Sequence, residues 1–200
     1  FSLVLALPIG VLAAIKRGTF ADLVARSFSI LGQAMPSFWL GILLIMVFAV
    51  MLHWLPTSGR TGPLSYVLPA VTMGWYVSAG IMRIVRSSML DVLDTEYIKL
   101  LRAKGLPEWQ IIWKHALKNA AIPILTFSVI LFIMMLSGSV VTETVFSWPG
   151  MGRLAIDSIT WRDFPVIQAI VMILSVMFVM ANLIVDLLYA YLNPKIRYQK

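Results

Sequence analysis

The sequence predicts an all-α membrane protein: a bundle of spanning helices with a structured cytoplasmic segment. Three observations lead there. The 200 residues are 60% hydrophobic and only 12% charged, whereas soluble domains are nearer half apolar and a quarter charged. Four runs, 27–59, 61–82, 119–142 and 164–185, contain no Asp, Glu, Lys or Arg. A helix needs about 20 apolar residues to cross the hydrocarbon core, so each run can hold a span. The basic residues, finally, gather on alternate loops. Single strands are excluded, because open edges leave backbone groups unsatisfied in lipid.

The elements follow in order. Residues 1–15 read as the end of a span. They are apolar from Phe1 onward with no basic segment before them, which argues against a signal peptide and predicts an upstream part. The remaining spans are expected near 28–52, 66–86, 120–141 and 166–190, making about five helices. Pro8, Pro36, Pro69 and Pro123 fall within these runs. Neighbouring helices in a membrane bundle can satisfy the carbonyls a proline frees, so kinked helices are expected.

Orientation follows from the basic residues. One set of loops carries thirteen: Lys16, Arg17, Arg26, Arg83, Arg86, Lys99, Arg102, Lys104, Lys114, Lys118, Lys195, Arg197 and Lys200. The other carries three: Arg60, Arg153 and Arg162. The first set is expected to be cytoplasmic, with the C-terminus inside. The formal charge of +7 is then a topology signal and requires no nucleic acid.

The cytoplasmic segment 87–119 is patterned. Leu90, Leu93, Tyr97 and Leu101 share one helical face. Ser88 can cap a helix start, with Asp91 close behind. Glu96 and Lys99 form an i, i+3 pair. Arg102 and Lys104 sit in a last turn before Gly105, where a left-handed stop is wanted. Pro107 and Glu108 suit the start of a second helix, and Trp109, Ile112, Trp113, Ala116, Leu117 and Ala120 form its stripe. The pattern predicts helix, glycine elbow, helix, with the tryptophans pinning it. Such a pair can rest on lipid headgroups or fit a groove on a cytosolic partner.

The outer loop 142–165 predicts a turn at Trp148, Pro149 and Gly150, a short helix over 152–160, and a span opened by Pro165. Its "GMGRLA" formally matches a dinucleotide fingerprint, but no strand or βαβ unit surrounds it.

Several chemistries lack their parts. There is no Cys, which removes disulfides and thiolate metal sites. No G-x-x-x-x-G-K-[ST] loop occurs, so ATP binding of that kind is not expected here. His53 and His115 are expected on opposite sides of the membrane. Ser29, Ser37, Ser78, Ser128, Ser137 and Ser139 have no basic partner at membrane depth and read as packing and interhelical hydrogen bonds. Asp186, with Asn182 one turn earlier, is the one carboxylate within a span. It reads as a bundle contact or, in an ion-coupled carrier, as the ion site. With spans so nearly uncharged, the driving force is expected from outside the chain.

The segment "EYIKLLRAKGLPEWQIIWKHALKNAAIP" at 96–123 resembles the EAA loop of binding-protein-dependent ABC importer permeases. "IKRGTFAD" at 15–22, "PSFWLGILLIMVFA" at 36–49, "WLPTSGR" at 54–60, "ETVFSWPGMGRL" at 143–154 and "LLYAYLNPKIRY" at 187–198 look like the dipeptide, oligopeptide, glutathione and nickel branch. The resemblance covers nearly the whole chain. It implies a MetI-like bundle of about six spans when complete, about five of them present here, in one permease domain over 1–200, in the bacterial cytoplasmic membrane. It also implies partners: membrane lipid, a second permease subunit, two cytosolic ATPase subunits and an outer solute-binding protein. No cofactor or catalytic residue is implied. The loop's glycine corresponds to Gly105 and the alanine of its "RAKG" form to Ala103, and with Glu96, Tyr97, Lys104 and Leu117 these are the implied ATPase contacts. The E-A-A triplet here reads Lys99, Leu100, Leu101, and the later I-x-L-P reads His115, Ala116, Leu117, Lys118. Trp148, Pro149, Gly150 and Gly152 are candidates for an outer gate, a structural cap being the alternative. An ATP-driven importer of peptides or of nickel- or glutathione-type solutes is thus expected. An ion-coupled carrier and a non-transporting scaffold are its rivals.

Overall fold

The computed structural model describes residues 1–192, and within them the side chains of all but 136–139, 185, 186 and 188–192. Among the described residues the regular structure is helical, with no β-strand. The expected contributions of Ser137, Ser139, Asp186, Lys195, Arg197 and Lys200 lie outside what is described.

Helix α1 spans Ser2–Ile15 and keeps Pro8 in its interior. The chain turns through Gly18 at φ 78°, with the Thr19 hydroxyl donating to the Lys16 carbonyl at 2.7 Å. Helix α2 follows over Phe20–Ala34. Its buried residues are Asp22, Ala25, Ser29 and Gly32, a helical stripe of small or polar side chains. Phe20, Leu23, Val24, Ile30 and Leu31 point outward. This pattern suits lipid, where small residues make the helix contacts and apolar bulk adds nothing by being hidden.

The expected single span over 28–52 is two helices. Pro36 is extended (φ −62°, ψ 136°) and precedes α3, Ser37–Leu44, which continues as a π-helical stretch over Ile45–Met51. A residue before proline is disfavoured in the helical region, so Met35 ends α2 rather than bending it.

A one-turn 3₁₀ helix, Pro63–Tyr66, leads into α4, Val67–Leu93. The Ser65 hydroxyl accepts from the Thr61 and Gly62 amides at 3.1 and 3.2 Å. Pro69 therefore sits in α4's first turn, where its missing N–H costs no hydrogen bond, and is no mid-span kink. Helix α4 also runs seven residues beyond the expected end at 86. Ser88 is buried inside it and caps nothing, because no Gly or Pro falls between Ile81 and Leu93 to end the helix there.

Helix α5 is Glu96–Ala103 and α6 is Glu108–Gln110; the latter runs through a π-helical turn, Ile111–Ala116, into α7, Leu117–Val145. Pro123 stays inside α7. Helix α8, Met151–Trp161, ends on Arg162 in the left-handed conformation. Helix α9 is Phe164–Leu192, opened by Asp163, whose carboxylate accepts from the Val166 amide at 3.3 Å.

Three described helical stretches are long and apolar enough to cross a membrane: Pro63–Leu93, Glu108–Met135 and Phe164–Ile184. In the first, 50% of the most apolar window is buried within the chain, against 6% in the last. Membrane-depth hydroxyls mostly bond within their own helices rather than between them. Ser29, Thr72 and Ser128 donate to the carbonyls of Ala25, Leu68 and Ile124 at 2.7 to 3.0 Å, the local i−4 alternative open to such side chains.

Two compact units are distinguishable. One consists mainly of Phe1–Ala34 and Val77–Ile130, the other mainly of Met35–Tyr76 and Leu131–Tyr189. Ile81, Met82, Val85, Met89, Ile98 and Ile111 are buried in the first. Ala49, Leu68 and Phe146 form a core in the second, with Leu44, Phe48, Leu55 and Val145 around it.

Candidate functional site

The elbow is built locally. Lys99 Nζ lies 2.8 Å from Glu96 Oε1 on α5. At the helix end the Gly105 amide donates to the Arg102 carbonyl at 2.9 Å and the Leu106 amide to the Leu101 carbonyl at 3.3 Å. This pair of bonds closes a helix on a left-handed residue, and Gly105 adopts φ 77°. Pro107 is extended and starts α6. Arg102 then reaches over the glycine: its Nε donates to Glu108 Oε1 at 2.8 Å and its Nη2 to Oε2 at 3.4 Å. That bond holds the Arg102 guanidinium above its usual range. Farther along, Tyr97 Oη lies 3.0 Å from His115 Nδ1. The two arms are therefore joined at the bend and again near their far ends.

The faces differ from those expected. Ile98 and Leu101 are buried on α5, while Tyr97 and Leu100 are exposed. On the second arm Ile111, Ile112 and Ala116 are buried, whereas Trp109 and Trp113 are 63% and 49% exposed. The tryptophans do not pin the elbow. The reason is the π-helical winding of Ile111–Ala116, whose wider turn brings residues five apart into line, so that Ile111 and Ala116 share the inner face. Of the expected contact residues, Glu96, Tyr97, Ala103, Lys104 and Gly105 are exposed and Leu117 is half-buried.

The outer turn is a packed cap. Ser147 takes φ 48°, and the Trp148 amide donates to the Glu143 carbonyl at 2.7 Å. The Trp148 ring meets Tyr66 edge-on at 4.7 Å. The Glu143 carboxylate accepts from the Arg153 amide at 2.9 Å, placing a negative charge at the N-terminus of α8. A Cβ on Gly150 would overlap that carboxylate, and one on Gly152 would lie 2.7 Å from Val140 Cα. Both glycines are close-approach positions.

The model of the family described as "Binding-protein-dependent transport system inner membrane component" matches residues 6–198. The chain belongs to this family. The glutathione transport system permease protein GsiC of Pectobacterium atrosepticum is 43% identical over 199 residues, covering 100% of this chain and 65% of the relative. Its Escherichia coli K12 counterpart is 45% identical over 190 residues, covering 95% and 62%. The chain thus spans somewhat less than two thirds of the length of these curated relatives. Two solved structures share the fold. One is described as an inward-facing conformation of the MetNI methionine ABC transporter (TM-score 0.74, 19% identity, 96% of this chain and 88% of that one). The other is an amino acid ABC transporter with histidines (TM-score 0.68, 21% identity, 95% and 86%). The expected MetI-like bundle and the peptide and nickel branch are both met. In this binding-protein-dependent permease the EAA-like segment is the elbow just described.

One cluster was missed by sequence reasoning. Asp22 is 1% exposed and accepts from Arg86 Nε at 2.6 Å, from Arg86 Nη2 at 2.9 Å and from the Gly18 amide at 3.0 Å. Arg86 entered the topology count as one cytoplasmic charge among thirteen. The available signal was the lone carboxylate in "RGTFAD", one helical turn before Arg26.

Proposed function

We propose that the chain is the permease subunit of an ATP-driven importer, moving small solutes inward across the bacterial cytoplasmic membrane. The observation that carries the reading is the elbow: two short arms tied by Arg102–Glu108 and Tyr97–His115, with Tyr97, Leu100, Trp109 and Trp113 left uncovered. An element that transmits a push must be stiff and must make different contacts in two states. Glu96, Tyr97, Ala103, Lys104, Gly105 and Leu117 are its contact residues for two cytosolic ATPase subunits. Hydrolysis belongs to those chains, and the permease itself is not an enzyme. A second permease subunit and lipid cover the apolar side chains that α9 leaves exposed, among them Val171, Met172, Val176 and Val179. An outer binding protein delivers the solute, and the C-terminus is cytoplasmic. The names of the relatives support glutathione or a small peptide as the solute. Trp148, Pro149, Gly150 and Gly152 serve as a cap for α8; the Trp148–Tyr66 ring contact and the close approach of Gly150 and Gly152 to Glu143 and Val140 support this over a gate.

The decisive experiment reconstitutes the full-length permease in vesicles with and without its ATPases, with glutathione or peptide supplied by the binding protein. Uptake is expected only with the ATPases and ATP. Uptake without them, lost on replacing Asp186, would overturn the reading in favour of an ion-coupled carrier.

A further inference from the structure

The segment formed by α1, the turn and the start of α2 is tied to the end of α4 and to Asp94 just after it by three separate contacts, all within the first unit. The deepest is the buried Asp22 carboxylate, which takes a two-pronged grip from Arg86 and a third bond from the Gly18 amide. Arg26 Nε stands 3.6 Å from the same carboxylate. Above it, Gly10 of α1 is pressed onto α4: an added Cβ would lie 2.8 Å from Val85 Cβ and 3.0 Å from the Met82 carbonyl oxygen. Below it, Arg17 Nη1 lies 3.5 Å from Asp94 Oδ2 at the surface.

The positions along α4 matter. Arg86 lies about two helical turns before Leu93, the last residue of α4. Asp94 is the first residue after it, and the Thr95 carbonyl accepts the Ile98 and Lys99 amides that open α5. The three contacts therefore hold the end of α4 from which the elbow springs. A buried ion pair adds little net stability over an apolar pair of the same volume. What a guanidinium fork on a carboxylate does supply is fixed geometry. It sets both the rotation and the height of α4 against α2.

We propose that Asp22 is a positioning residue for the elbow: the Lys16–Asp22 segment braces the end of α4, so that α1, the turn, the end of α4 and α5 move as one body when the elbow is pushed. The inference rests on the elbow reading above and adds α1 to the moving part.

The test uses the full-length permease assembled with its ATPases and binding protein in vesicles. Asp22→Asn keeps the shape and removes the charge; Arg86→Lys keeps the charge and removes the fork. Both are expected to assemble and hydrolyse ATP, while solute moved per ATP falls roughly fivefold or more. In a second arm, cysteines replace Arg17 and Asp94 in a Cys-free background and are joined by a bifunctional thiol reagent. A brace that stays closed throughout the cycle is expected to transport normally when locked. Unchanged transport per ATP in Asp22→Asn, or transport stopped by the lock, would overturn the brace alone. Should Asp22→Asn fail to assemble, the lock decides. Wild-type uptake that needs no ATPase would instead remove the elbow reading and the brace with it.

Discussion

Arg102 Nε donates to Glu108 Oε1 at 2.8 Å across the left-handed Gly105, so one ion pair spans the bend between the two arms of the elbow. Both side chains are about half exposed, with 46% and 57% accessible, and pairs of that kind contribute about 0.2–1 kcal/mol. Glu108→Gln is expected to shift thermal unfolding of the purified permease by no more than that range. It should lower solute-stimulated ATP hydrolysis more than it lowers stability, since the bend angle and not the fold depends on it. Equal losses in both would contradict this.

Gly105 stands at φ 77° with open space around its missing side chain. The cost of a substitution there is conformational rather than steric, about 1–2 kcal/mol for a residue with a Cβ. Gly105→Val is expected to insert into the membrane normally and to abolish solute-stimulated hydrolysis. Gly105→Asn, which tolerates the left-handed region, should retain a large part of it. A Val variant with normal stimulation would show that the bend is dispensable.

Trp109 and Trp113 face outward. Alanine at either is expected to change stability by less than about 0.5 kcal/mol, the usual range for surface positions. Binding of the ATPase, measured by co-purification or by titration in detergent, should weaken about tenfold, as for exposed aromatic anchors at interfaces. A large drop in unfolding temperature with binding intact would return the tryptophans to the pinning role.

Gly10 admits no side chain against Val85. Gly10→Ala is expected to cost about 1–3 kcal/mol through overpacking, read as a lower unfolding temperature in detergent. Val85→Ala in the same background should recover part of the loss, because it removes the atoms the new methyl would strike. No recovery would mean that the clash is with the Met82 carbonyl instead.

At the outer turn, the atoms nearest a Cβ on Gly150 belong to the Glu143 side chain, whereas a Cβ on Gly152 meets Val140 Cα. A carboxylate can swing away at the loss of its α8 cap, about 1 kcal/mol; backbone cannot. Gly152→Ala is therefore expected to be the more damaging in thermal unfolding. The reverse order would argue for movement at this turn and favour the gate.

Much of this was legible in one dimension. The Gly105 stop follows from "RAKG" because a left-handed helix end is chosen by residues next to one another. The turn at Trp148–Gly150 and the span opening at Pro165 are equally local. Arg102–Glu108 joins residues six apart, but only across a bend whose angle was unknown, and so it stayed hidden. The outward tryptophans were misplaced because a 3.6-residue stripe was applied to a stretch that winds as a π-helix.

The prolines mark the boundary. Pro8, Pro36, Pro69 and Pro123 each fall within a predicted span and look alike in the sequence. Pro8 and Pro123 remain inside helices, Pro69 falls in a first turn, and Pro36 separates α2 from α3. Composition alone determined that the chain is helical and suited to a membrane, since a run of about 20 uncharged residues has no other stable form in hydrocarbon. Only the tertiary structure decided where those helices break and that Asp22 meets Arg86, 64 residues away. A carboxylate's partner is chosen by which helices pack together, and nothing in the residues beside it records that choice.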